Sequence, residues 1–153
     1  TNAGHKVKKT FDAVQYAADD PAKHTVIAWL RSNGIEACVN PDQFGIDILA
    51  SRNSNKFEIE VEVKHNWKGK DYPFDTVHIS NRKEKFAQER SGVFVWFCLV
   101  NHERTHAVFV PGVEFLAAPI VVKNTTCTTG ESFREIKTGT VYRITQDAKH
   151  EQR

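Results

Sequence analysis

The spacing of apolar positions changes several times along this chain, and each change predicts an element. Two helical stretches come first, roughly residues 11–18 and 21–33. Asp20 suits an N-cap and Pro21 the first helical position of the second piece. Val26, Ile27 and Leu30 recur at helical spacing, and Gly34 supplies the stop. Residues 35–39 read as a short strand that ends near Asn40 and Pro41.

The period then shifts to two. Residues 45–51 and 57–64 are strand-like and are separated by Arg52, Asn53, Ser54 and Asn55, a strong turn signal. This is a β-hairpin. Its second strand directs Ile59, Val61 and Val63 one way and Glu58, Glu60, Glu62 and Lys64 the other. After a loop at 65–75, Ser80 or Asn81 caps a helix running to about residue 90, with Asn81 and Glu84 at capping-box spacing. Residues 93–100 are almost wholly apolar, as expected of a strand buried on both faces, and 105–110 return beside them. Pro111 and Gly112 break that strand; a helical turn at 113–116 and weaker strands at 120–123, 133–137 and 141–145 follow. No repeat or linker interrupts the pattern. One α/β domain over 10–146 is expected, between a basic tail at 1–9 and a C-terminal tail at 147–153.

Composition narrows the setting. A chain of 153 residues with 40% hydrophobic and 26% charged positions fits one globular domain. No apolar run approaches the roughly 20 residues that cross a bilayer, so no membrane partner is expected. Lys6, Lys8 and Lys9 have no apolar stretch behind them, unlike a secretory signal, and an intracellular setting is the simplest expectation. Cys38, Cys98 and Cys127 form no CxxC pair, which argues against a zinc ribbon or a disulfide framework. Cys98 lies in the apolar run and is expected to be a buried thiol.

A net charge of +2 means that any nucleic-acid surface must be local. Lys68, Lys70, Arg82, Lys83 and Lys85 make the most basic region, interleaved with Trp67, Tyr72 and Phe74. They form either a phosphate-tracking surface with stacking aromatics, or a lid whose aromatics pack on the core while the lysines stay solvated. Arg82 and Lys83, at a helix N-terminus, are the best placed to meet phosphate. His102 and His106 flank a turn but lack further zinc-type ligands. No Gly-x-Ser-x-Gly or phosphate-cradling glycine loop supports nucleophilic catalysis.

The hairpin carries the chemistry. With Ser54 and Asn55 as the turn residues, Asp47 faces Glu62; with the turn one residue earlier, it faces Glu60. Opposed residues hold their Cβ atoms about 4.5–5.5 Å apart, within reach of one shared cation. Lys64 projects from the same face as Glu62. Opposed carboxylates destabilise a sheet, and a metal would explain why they are tolerated. Phosphodiester hydrolysis needs such a group: a hard divalent ion on a few carboxylates acidifies water and neutralises phosphate oxygens, while a lysine stabilises charge. The plain alternative is a salt-bridged, solvent-facing sheet. Asp47, set among Ile46, Ile48 and Leu49, favours the chemical reading.

Gly45-Ile46-Asp47-Ile48-Leu49-Ala50 followed by Ile59-Glu60-Val61-Glu62-Val63-Lys64 resembles the signature of the PD-(D/E)XK nucleases, an aspartate on one strand and a (D/E)-x-K triplet on the next. Glu62-Val63-Lys64 matches the triplet, and the order of elements over roughly 20–110 agrees with the family's. The resemblance implies a restriction-endonuclease-like core, a central mixed β-sheet flanked by helices. It implies Mg²⁺ or Mn²⁺ as cofactor and DNA as the usual substrate, hence an endodeoxyribonuclease, resolvase-like or phage-type, in a family where homodimers are common. By the same resemblance Asp47, Glu62 and the Val63 carbonyl would bind metal, and Lys64 would assist the attacking water. Pro41-Asp42 spells the family's literal dipeptide, but the hairpin count puts Asp42 beyond the strand. Many relatives carry a glutamate on the first helix where this chain offers His24; His24 and Glu60 are therefore candidate additional ligands. A non-catalytic DNA-binding or assembly module on the same fold is the competing function.

Overall fold

The computed structural model describes residues 13–88, 90–124 and 129–145, with side chains of the first helix from residue 20 onward. The two tails and Cys127 lie outside the described residues.

One continuous helix, α1 (Ala13–Ser32), takes the place of the two expected pieces, with Pro21 inside it. Asp20 is thus not an N-cap. An interior proline costs about 3 kcal/mol. Val26, Ile27 and Leu30, all beyond Pro21, are buried against the sheet, each contributing about 1.5–3 kcal/mol. Gly34, at φ +79°, ends the helix: its N–H donates to the Arg31 carbonyl and that of Ile35 to Leu30.

The strands that follow are β1 (Glu36–Val39), β2 (Ile48–Arg52), β3 (Asn55–Lys64), β4 (Thr76–Ser80), β5 (Val93–Asn101), β6 (His106–Pro111), β7 (Ile120–Lys123), β8 (Glu131–Lys137) and β9 (Val141–Arg143). Six of them form a mixed sheet in the order β1-β2-β3-β5-β6-β9, in which only β3 and β5 run parallel. A second sheet has the order β4-β8-β7. α1 covers one face of the large sheet through Ala22, Val26, Ile27 and Leu30 on Ile48, Ile59, Val61, Val63, Cys98 and Val100. On the other face Phe97, Leu99, Val108 and Val110 pack against Trp67, Val77, Ile79, Phe115 and Ile136. Burial on both sides explains why β5 is apolar at almost every position.

Two local departures bear on the site. The helix expected over residues 80–90 shrinks to a 3₁₀ turn (Asn81–Lys83) and a short helix, α2 (Glu84–Ala87). The Asn81–Glu84 capping box is not made, because Arg134 takes both side chains: its Nε donates to Asn81 Oδ1 at 2.9 Å and its Nη2 to Glu84 Oε1 at 3.2 Å. Ser80 caps the turn instead, its hydroxyl accepting from the Arg82 N–H. A third helix, α3 (Gly112–Ala117), links β6 to β7.

Candidate active site

The hairpin register decides which acids meet. Asn53 and Ser54 both have positive φ, 50° and 72°, and form a two-residue turn that pairs Arg52 with Asn55 and Ile48 with Ile59. The next pair outward is Asp47 and Glu60. Of the two registers the sequence allows, the structure takes the one that sets Asp47 beside Glu60; Glu62 lies one pleat further along β3. The turn residues cause this, since moving the turn by one residue moves the partner by two.

Asp47 lies just before β2, and its contacts define the centre. Its Oδ2 accepts the Val61 N–H at 2.8 Å, and its own N–H donates to Glu60 Oε1 at 3.3 Å. From α1, Lys23 places its Nζ 3.2 Å from Asp47 Oδ1. From the 3₁₀ turn, Lys83 places its Nζ 3.0 Å from Glu60 Oε2. Lys64 donates to Glu62 Oε2 at 3.2 Å and to the His78 carbonyl of β4 at 2.6 Å. Three carboxylates and three ammonium groups therefore meet on the open edge that β3 presents beyond the start of β2.

Charge is held here at some cost. Burial pushes the Glu60 carboxyl up; the Lys83 ammonium pulls it down and Asp47 pushes it up again, leaving it at about 7. Burial works against the charge on Lys83, but Glu60, Glu62 and Asp47 outweigh it and hold the ammonium above its usual range. Lys23 shows the same balance, burial opposing and Asp47 prevailing. The Tyr72 hydroxyl is pushed up to about 12 by burial and then by the Glu62 carboxylate; it donates to the Thr76 carbonyl.

The other candidates scatter. His24 is exposed, and α1 sends Lys23 to the centre in its place. Asp42 accepts the Phe44 N–H and shapes the β1–β2 loop. Val63 pairs with Val100 on β5, one pleat beyond Val61; the residue whose N–H meets Asp47 is Val61. Lys68, Lys70 and Lys85 are exposed, as a solvated basic region requires. Arg82 is tied to the buried Glu131 through Nε and Nη2, both at 3.3 Å. Lys83, expected on a phosphate-facing surface, instead faces the carboxylates. Trp67 is fully buried, which settles packing over stacking for that ring. His102 meets His65, with Nδ1 atoms 3.4 Å apart, whereas His106 bonds Thr105. Cys98 is buried.

Lys23 and Lys83 are the site residues that sequence reasoning missed in this role. They lie 24 residues before Asp47 and 23 after Glu60, and no local pattern links them. Among the described residues, no group of three or more His, Cys, Asp or Glu side chains is arranged to hold a metal ion. Any ion here would rest on the Asp47–Glu60 pair together with backbone oxygen or water. That donor set fits a hard divalent cation, and a buried carboxyl raised to about 7 is one that positive charge relieves.

No protein-family profile and no curated protein matches the sequence. Among the described residues no helix is long and apolar enough to cross a membrane. The structure is similar to that of Hjc, a Holliday junction resolvase from the archaeal hyperthermophile Archaeoglobus fulgidus, with a TM-score of 0.50 and 17% identity over 78% of this chain and 83% of that one. The chain has the fold of that resolvase, a mixed sheet flanked by helices.

Proposed function

We propose that this protein is a Mg²⁺- or Mn²⁺-dependent endodeoxyribonuclease of the PD-(D/E)XK type, with Asp47 and Glu60 as the metal-holding carboxylates. The observation that carries the reading is the close pairing of those two acids across the hairpin, Asp47 N–H to Glu60 Oε1 at 3.3 Å. The resolvase-like fold supports it, but a fold alone does not establish chemistry. When bound, the ion supplies an acidified water and neutralises phosphate charge.

The chain's own groups do the rest. Within a strand, one residue's N–H and C=O point to the same edge, so the Val61 carbonyl lies on the edge where its N–H meets Asp47. It takes the supporting role that the resemblance assigns to Val63. Counted from Glu60, the lysine position of the triplet holds Glu62. Lys83, which reaches the carboxylates from the 3₁₀ turn, supplies the ammonium there and stabilises charge on the phosphate. Lys64, fixed by Glu62 and the His78 carbonyl, orients that end of the site. Exposed Lys68, Lys70 and Lys85 attract the DNA backbone.

A competing reading, a non-catalytic DNA-binding module, draws on the ion pairs by which Lys23, Lys64 and Lys83 already balance the carboxylates. A cleavage assay on duplex, flap, four-way-junction and single-stranded DNA, with Mn²⁺ and with chelator, separates the two. The nuclease reading expects metal-dependent products that disappear in Asp47→Asn and Glu60→Gln, with circular dichroism unchanged. Salt-sensitive binding without turnover on any substrate would establish the other.

A further inference from the structure

Beyond the acidic centre, on the side of Lys64, a cleft of about 590 Å³ opens between the 65–75 loop and the small sheet. Lys64, Asn66, Tyr72, Phe74, His78 and Lys123 contribute to its walls. Its position is fixed by shared residues: Lys64 bonds both Glu62 and the His78 carbonyl.

Three features of the cleft point to one ligand chemistry. Phe74 is 44% exposed on the wall of the cleft, and Tyr72 braces its ring edge-on with ring centroids 5.5 Å apart. Lys123 is an exposed cation held in a defined place, with its Nζ 3.1 Å from His78 Nδ1. A lysine only donates, so Nδ1 accepts, and the imidazole proton sits on Nε2 facing Glu135 Oε2 at 2.8 Å. The Glu135–His78–Lys123 chain thus holds an exposed ammonium at the wall of the cleft. Asn66, also exposed, brings an amide with both donor and acceptor to the same walls. An aromatic face, an amide edge and an anchored cation suit a base, its hydrogen-bonding edge and its phosphate.

We propose that this cleft is a subsite for one unpaired nucleotide of the strand that is cut, an inference that rests on the nuclease reading above. A base lodged against Phe74 cannot also be stacked and paired in a duplex, so the preferred substrate is single-stranded or locally opened next to the scissile bond. Lys123 holds that nucleotide's phosphate and Phe74 its base.

The test separates binding from cleavage. Binding is measured in the full-length Asp47→Asn protein, with chelator present, by fluorescence of an oligonucleotide carrying 2-aminopurine and by competition with a blunt duplex of the same sequence. The expected result is at least tenfold tighter binding of the single strand, with 2-aminopurine quenched. Adding Phe74→Ala should weaken single-strand binding by about 5- to 150-fold, with Phe74→Trp restoring it. Lys123→Ala should weaken it further and reduce its salt dependence. Equal affinity for the duplex, or single-strand binding indifferent to both Phe74→Ala and Lys123→Ala, overturns the subsite. If the unmodified protein cleaves nothing yet binds as described, the nuclease reading fails and the cleft stands as a single-strand binding site alone; if it cleaves while binding is indifferent to these variants, the subsite fails and the nuclease reading stands.

Discussion

Glu60 gives the metal reading a quantitative consequence. Its carboxyl, pushed up to about 7 chiefly by burial, is largely protonated below neutrality in the metal-free protein. An ion that takes Glu60 as ligand must displace that proton. Apparent affinity should therefore fall about twofold at pH 7, about tenfold at pH 6 and about a hundredfold at pH 5 relative to its alkaline limit. Calorimetric titration with Mn²⁺ in buffers of different ionisation enthalpy reads both quantities, and about half a proton should be released per ion at pH 7. Stability should follow the sign of the shift. A carboxyl raised in the folded state contributes stability that is present below its unfolded pKa, near 4.5, and lost as pH rises through about 7. Mn²⁺ should accordingly raise the melting temperature more at pH 8 than at pH 6. Glu60→Gln should remove the proton release and most of the affinity. An affinity flat from pH 5.5 to 8, with no proton released, would refute the role given to Glu60.

Further outcomes can be checked directly. Lys83→Met should lower metal-dependent cleavage by about a hundredfold or more while Lys64→Met costs less, as read from initial rates; the reverse order would return the lysine role to Glu62-Val63-Lys64. Ser54 holds φ 72° without being glycine, so Ser54→Gly should stabilise the hairpin by roughly 0.5–1 kcal/mol in denaturant titration; destabilisation would contradict the turn described. Trp67 is fully buried, and Trp67→Ala should cost about 3–5 kcal/mol, whereas a loss below about 1 kcal/mol would mean the 65–75 loop is not packed as described.

The sequence disclosed more of the sheet than of the site. Alternation in residues 57–64 and the apolar run at 93–100 are properties of single strands, so the hairpin and the strand buried on both faces could be read locally. Register could not, because Asn53-Ser54 and Ser54-Asn55 are both acceptable turns and differ in whether Asp47 meets Glu60 or Glu62. Lys23 and Lys83 reach the carboxylates only through packing of a helix and of a turn distant in sequence. The unmade capping box follows the same logic: Asn81 and Glu84 have the right spacing, but Arg134, some 50 residues later, claims them. Asp20 and Pro21 carry the local marks of a helix start, yet the helix runs from Ala13 through both.

Crystals soaked in Mn²⁺ and measured at an anomalous wavelength test the central claim most directly. The account predicts one strong peak bridging the carboxylates of Asp47 and Glu60, absent from Asp47→Ala crystals treated alike. A map without that peak, with Lys23 and Lys83 still closed on the two acids at full Mn²⁺ loading, would contradict it.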